Sequence, residues 1–285
     1  MKRYANEGLI FLPDFKQFKY EAWSKLLEKR VGITVPIERE AFLKTKIWSR
    51  MRELGLTSFD EYWQIVNNGI TGKLEWSELL DRLTVHETSF FRHKPSYDLV
   101  ASNFSELIEK KRKFHYKIWS VSCATGEEPY SLAMMIHHLK ELEQKTSVYY
   151  GLTATDVSKS ALTLGGNAFY SKDKLKEIDK KYRFYLKKVN SNIFTIDKKI
   201  KERVAFGVFN LLKIEEMPTI KFDIIFCQNV LIYFSKDKRL RILEGFKRFL
   251  KSGGMLVLSP TDIGSWKSKN MTRITYKRTL AYKLD

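Results

Sequence analysis

The sequence predicts an α/β fold: an all-helical domain over residues 1–85, then a Rossmann-like sheet over 86–285 with a small antiparallel β insert at about 171–203. Three observations lead there. Helical apolar spacing dominates the first part, and no strand pattern occurs before residue 116. A buried strand, a turn of small residues and a helix follow one another over Tyr116–Met135, the unit that seats a nucleotide above a strand's carboxyl end. Further short apolar strands then alternate with helical patterns, interrupted by one charge-dense segment.

Taken in order, Phe15–Leu27 and Glu38–Leu54 carry apolar residues three and four apart and read as helices. Gly32-Ile-Thr-Val-Pro36 separates them, and Gly55 closes the second. Ser58 with Glu61 three residues on forms a capping box for a third helix, and Leu74–Leu83 is a fourth. The stretch Leu83–Arg92 lies between the domains. Tyr116–Val121 is the first strand, and Ser122-Cys-Ala-Thr-Gly126 lets the backbone turn sharply. Glu127-Glu128-Pro129 opens a helix with Leu132, Ala133, Met135 and Ile136 on its apolar side. Proline suits that first turn, because its missing N–H would be unpaired there. Val148–Thr155 is the second strand, with Ser158–Leu164 a helix after it. Arg183–Leu186 and Asn192–Ile196 read as short strands about a Val-Asn-Ser-Asn turn. Val204–Val208 and Phe222–Gln228 are the third and fourth main strands. Asp237–Leu250 is a helix ended by Gly253-Gly254, Met255–Ser259 is the fifth strand, and Arg273–Tyr276 with Leu280–Leu284 closes as a hairpin.

Composition narrows the function. With 285 residues, 44% of them hydrophobic, the chain can bury one good core and a small extra domain. No apolar run approaches the ~20 residues of a membrane span, and Met1–Glu7 shows no signal-peptide core. Two cysteines, Cys123 and Cys227, make no disulfide framework and fit a cytoplasmic setting with free thiols. The five histidines have no metal-binding spacing, so no metal is expected. Net charge is +18 and unevenly spread: residues 171–203 hold twelve Lys/Arg against five Asp/Glu, or +7. Such a surface suits an acidic partner such as an acidic protein, a nucleic acid or an anionic membrane, and it also fits plain solubility.

The ligand is read from the turn after the first strand. A phosphate there would want bare N–H groups and a lysine, and neither GxGxxG nor a P-loop lysine is present. Glu127 and Glu128 suit a cationic, hydroxyl-rich ligand, and S-adenosylmethionine, with its ammonium, sulfonium and ribose diol, fits. They equally suit the helix dipole, worth ~0.3–1 kcal/mol each, and the stretch alone leaves both readings open. Asp156, at the end of the second strand, stands where an acid holds a ribose diol, and it also suits the start of the next helix.

Further motifs carry a resemblance. Ser122-x-x-Thr-Gly-Glu-Glu-Pro-Tyr-Ser131 resembles the signature of the chemotaxis receptor glutamate methyltransferases, the CheR family, with Ser122 at a usual glycine and Ala124 at a usual serine. Thr84-x-x-x-Thr88-x-Phe-Phe-Arg92, Ala154-Thr-Asp156, Asn210-Leu211 and Gln228-Asn-Val-Leu-Ile-Tyr-Phe234 extend it over roughly residues 10–285, with Gln228 at a usual arginine, His86 at a common asparagine and Ser259-Pro-Thr-Asp262 at Gly-His-Ser-Glu. The resemblance implies a class I methyltransferase sheet and S-adenosylmethionine as cofactor, S-adenosylhomocysteine being the product. It implies His86, Thr88, Arg92, Glu127, Glu128, Asp156, Asn210, Leu211, Gln228 and Asn229 as cofactor-binding residues, with Arg92 and Tyr233 at the methyl-transfer point. For Asn210 a plain turn role is the alternative reading, and for Tyr233 core packing.

The implied activity is methylation of glutamate side chains on chemoreceptor cytoplasmic helices, by a monomer in the cytoplasm. The helix with Lys44, Lys46, Arg50 and Arg52 resembles the family's receptor-docking helix, and Lys46, Arg50 and Arg52 are the expected contacts. The insert lacks the glycine-containing hairpin loop that grips a receptor's C-terminal pentapeptide in some members. Two rivals remain at this point. One is a nucleic-acid methyltransferase, favoured by the charge and by Asn229-x-x-Ile-Tyr-Phe but lacking the prolines of an amine-gripping loop. The other is a cofactor-binding adaptor without turnover.

Overall fold

A computed structural model describes residues 18–84, 87–110, 113–144, 147–262 and 266–285. The chain divides into two compact units, one of residues 1–30 with 34–85 and the other of residues 31–33 with 86–285.

The first unit is helical: α1 (Tyr20–Val31), α2 (Glu40–Glu53), α3 (Phe59–Asn67) and α4 (Gly69–Leu83). Its caps follow the sequence, since Ser58 Oγ accepts the Glu61 N–H at 3.3 Å and Gly55 takes a left-handed φ of 71°. α4 begins five residues before the expected Leu74, at Gly69 (φ 65°). Trp23, Leu43, Ile47, Met51, Phe59, Tyr62 and Leu79 fill the core of this unit.

The second unit begins with α5 (Lys94–Lys110), a helix the sequence reading left unassigned. Its buried Tyr97, Val100, Phe104 and Ile108 lie three and four apart, a signal present but unread. Then follow β1 (Phe114–Val121), α6 (Glu127–Leu142), β2 (Val148–Asp156), α7 (Lys159–Asn167), β3 (Phe169–Ser171), β4 (Leu186–Lys188), β5 (Ile193–Ile196), α8 (Lys198–Lys201) and β6 (Val204–Val208). β7 (Phe222–Cys227), α9 (Lys236–Phe249), β8 (Leu250–Leu258), β9 (Met271–Tyr276) and β10 (Thr279–Leu284) complete it. Seven strands form one sheet in the order β6-β2-β1-β7-β8-β10-β9. β1, β2, β6, β7 and β8 run parallel, while β10 is antiparallel to both neighbours. The central strands β1, β7 and β8 are buried on both faces over their carboxyl halves, as their apolar runs require, whereas the edge strand β6 is partly exposed.

The insert is a separate antiparallel sheet in the order β3-β5-β4. It begins at Phe169, with a strand that was not expected. Arg183–Leu186 is mostly not a strand: Lys180–Tyr185 forms a 3₁₀ turn instead. Tyr182 and Tyr185 are both buried, and a spacing of three puts them on one side of a 3₁₀ helix but on opposite sides of a strand. A second correction concerns Gly253-Gly254. α9 stops at Phe249, and the glycines lie inside β8 beside a register shift against β7. A Cβ on Gly254 would stand 2.9 Å from the Lys251 carbonyl oxygen and 3.1 Å from those of Phe222 and Asp223, so close backbone approach, not helix capping, demands that glycine.

Candidate active site

The sheet register brings the sequence motifs together. Val121 pairs with Thr155 and with Cys227, Asp156 with Val208, and Cys227 with Leu258. The residues that follow the ends of β1, β2, β6, β7 and β8 therefore share one edge, and the chain order reverses at β1. Such a switch point opens a crevice for a ligand.

Asp156 organises the near side. Its Oδ2 accepts the Ala124 N–H at 2.9 Å and its Oδ1 the Ser158 N–H at 2.9 Å. One carboxylate thus ties the turn after β1 to the turn after β2. The β1 turn needs this support, because Ser122, Ala124 and Gly126 all have positive φ, 54°, 46° and 93°. Beside it, Phe209 N–H donates to the Asp156 carbonyl at 2.9 Å, and the Asn210 side chain caps the following turn through Leu212 N–H at 3.0 Å. Leu211 is buried.

The two glutamates are not equivalent. Glu127 is 1% exposed and already engaged, accepting from Lys174 Nζ at 2.5 Å and from Thr125 Oγ1 at 2.7 Å. The expectation that both glutamates face a ligand narrows to Glu128. Its carboxyl accepts from Ser120 Oγ at 2.7 Å. Burial pushes it up to about 8, with Asp262 adding to the shift while Ser120 and Arg92 oppose it.

On the far side, Gln228 Oε1 and Nε2 are both buried with no hydrogen-bond partner among the described residues. Asn229 has φ 58°, and its N–H donates to Asp262 Oδ2 at 3.2 Å while its Oδ1 accepts from Ser259 Oγ at 3.1 Å. Asp262 also accepts the Ser259 N–H at 3.0 Å, and burial pushes its carboxyl up to about 6. Ser259–Asp262 therefore pins the turn that leads to Tyr233, a role the sequence left unread. Tyr233 ends a 3₁₀ turn, half-buried.

The segment before α5 closes the site. Thr88 is half-buried, and its carbonyl accepts from Lys174 Nζ at 3.3 Å. Arg92 is exposed, with Nη1 donating to the Glu87 carbonyl at 2.8 Å, and it lies near enough to Glu128 to act on its charge. His86 lies outside the described residues.

Residues 86–277 match the family described as CheR methyltransferase, SAM binding domain, and residues 19–84 match CheR methyltransferase, all-alpha domain. The chain belongs to the CheR methyltransferase family. A chemotaxis protein methyltransferase of Borreliella burgdorferi is 28% identical over 262 residues, covering 89% of this chain and 92% of the relative. One of Escherichia coli is 29% identical over 254 residues, covering 87% and 85%.

As a CheR methyltransferase the protein uses S-adenosylmethionine, and the crevice residues fit that molecule. A buried amide without partners, as at Gln228, is costly unless something pairs with it, and an adenine or amino-acid edge offers what it lacks. Glu128 is a half-buried carboxyl with no salt-bridge partner among the described residues, suited to an ammonium. Asp156 stands at the end of β2, on the edge where the turns after β1 and β2 meet.

The helix that resembles the family's docking helix is α2, and here one expectation changes. Arg50 is spent inside the helical unit: Nε and Nη2 reach Glu75 Oε1 and Oε2 at 2.9 and 2.7 Å, and Nη1 reaches Glu53 at 3.1 Å. Tyr62 donates to the same Glu75 at 2.6 Å. Lys46 and Arg52 are exposed on α2. Pairing with a side chain 25 positions along the chain drew Arg50 from the surface, which spacing along one helix does not reveal. Among the described residues no helix is long and apolar enough to cross a membrane.

Proposed function

We propose that this CheR methyltransferase esterifies glutamate side chains on chemoreceptor cytoplasmic helices, in the cytoplasm. The observation that carries the reading is Arg92, an exposed guanidinium set against an acidic crevice of Glu128, Asp156 and Asp262. Asp156, and Asp262 above about pH 6, repel a substrate carboxylate, so a cation must receive it, and a guanidinium fork can do so bidentately. When bound, S-adenosylmethionine supplies an electrophilic methyl group on sulfur. A glutamate side chain, with pKa ~4.3, is already ionised at neutral pH, so no general base is needed. The work left to the chain is placement. Arg92 orients the carboxylate, and the Tyr233 hydroxyl donates to it or to its surroundings. Phe90, buried, and Phe91 keep water from the segment beside Thr88, which strengthens these contacts. Lys46 and Arg52 on α2 favour glutamate-rich helices.

The experiment is incubation with methyl-labelled S-adenosylmethionine and either receptor cytoplasmic fragments or nucleic acid. Base-labile label on the receptor supports the proposal. Label on nucleic acid instead, or cofactor binding with no transfer to receptor, refutes it.

A further inference from the structure

The basic insert grips the segment that carries Thr88 and Arg92. Lys174 Nζ donates to the Thr88 carbonyl at 3.3 Å, and Glu177 Oε2 accepts the Phe90 N–H at 2.8 Å. The Phe90 ring meets Tyr170 edge-on at 5.0 Å, and the Phe91 ring stacks on Tyr182 at 4.9 Å with 9° between planes. Tyr170, Lys174, Glu177 and Tyr182 all belong to the insert. α6 adds Ser131 Oγ, which accepts the Phe91 N–H at 3.1 Å.

Phe91 has φ 53°. A bulky residue rarely adopts that conformation, and it persists only where the surroundings over-determine it. Here they do, and the next residue is Arg92. Lys174 adds a second tie, because the same ammonium pairs with Glu127 at 2.5 Å at the start of α6. Neutralising Glu127 alone would need no contact to Thr88, and Glu177 contacts the segment independently.

We propose that Lys174 and Glu177 are positioning residues for methyl transfer: they hold residues 88–91 in the strained shape that sets Arg92 beside Glu128, and they lock that segment to the amino end of α6. The insert thus serves the reaction centre itself. This rests on the methyl-transfer reading above.

The test compares Lys174→Met, Glu177→Ala, Glu177→Gln and the double variant Glu127→Gln/Lys174→Met. Three readouts serve: receptor methylation, melting temperature and amide exchange at Phe90 and Phe91. Glu177→Ala and Lys174→Met lower kcat roughly ten- to a hundredfold, as a misplacement near 1 Å does, with the receptor KM changed less than about threefold. Exchange at Phe90 and Phe91 speeds up in both. Glu177→Gln recovers most of kcat, since its amide oxygen still accepts the Phe90 N–H. The double variant regains stability, having no unpaired charge, yet stays slow.

A kcat within twofold of wild type in both single variants overturns the proposal, and so does full recovery in the double variant. Wild-type protein that fails to methylate receptor fragments refutes the proposed substrate, whereas unchanged amide exchange in the variants refutes the clamp.

Discussion

Acidifying the solution from pH 7.5 to 6 weakens S-adenosylhomocysteine binding roughly 20-fold, or ~1.8 kcal/mol, if Glu128 receives the ligand's ammonium. The figure follows from a carboxyl pushed up to about 8. About a quarter of the free protein has Glu128 ionised at pH 7.5 and about one part in a hundred at pH 6. The ligand's own amino group, with pKa ~7.7–8, loses its charge above that range, so affinity peaks near pH 8. Two charged groups bear on Glu128. Arg92 pulls its pKa down, and Asp262, pushed up to about 6, is mostly ionised by pH 7. Between pH 6.5 and 7.5 the slope therefore belongs to Glu128. Titration calorimetry in two buffers of different ionisation heat should show close to one proton released per ligand at pH 6.5. Glu128→Gln should abolish that release and flatten the slope. Stability runs the other way. A carboxyl raised above its unfolded value of 4.5 costs the free protein stability as pH climbs from about 4.5 to 8, so the melting gain from ligand grows over that window. Affinity that stays flat from pH 6 to 7.5, or a slope that survives in the glutamine variant, would refute the assignment.

Asp156→Ala should lose ligand affinity and fold stability together, because two amide bonds to the carboxylate, at ~1.5–3 kcal/mol each, vanish with it; urea unfolding with and without S-adenosylhomocysteine measures both. Ser122→Gly should stabilise the protein by about 1 kcal/mol by relieving a left-handed φ of 54°, read as a higher melting temperature. Arg50→Ala should destabilise the helical unit by ~3–5 kcal/mol by stranding Glu75. Lys46→Glu with Arg52→Glu should instead leave stability and ligand affinity intact and raise the receptor KM, a loss that shrinks as salt rises.

That the crevice residues share one edge of the sheet was legible because they lie at strand ends, and strand ends can be read from apolar runs bounded by turns. Asp156 is the last residue of β2, Gln228 stands one position past β7 and Asn210 two past β6. Glu127 and Arg50 misled for one reason: each is adjacent in sequence to residues of the expected role but pairs with a side chain far along the chain, Lys174 and Glu75. Nothing local distinguishes Glu127 from Glu128. The missed strand Phe169–Ser171 has three residues, too few for alternation to show. The misplaced helix end came from a glycine pair in which Gly253 takes a left-handed φ of 75° and Gly254 serves close strand packing, which looks the same in sequence as a cap.

The clamp also fixes an order of events in the making of the protein. The bond from Ala124 to Asp156 closes a separation of 32 residues, whereas that from Phe90 to Glu177 closes one of 87. The entropic cost of closure rises with length, and synthesis adds a delay of its own. A nascent chain that has just completed β2 holds both partners of the first contact and neither insert partner of the second. Phe91 then has Tyr97 and Ser131 beside it but lacks the stacked Tyr182 ring, and Phe90 lacks its tie to Glu177. Residues 88–92, though among the first to be made in this unit, take their working shape only after the insert has been synthesised and folded against them.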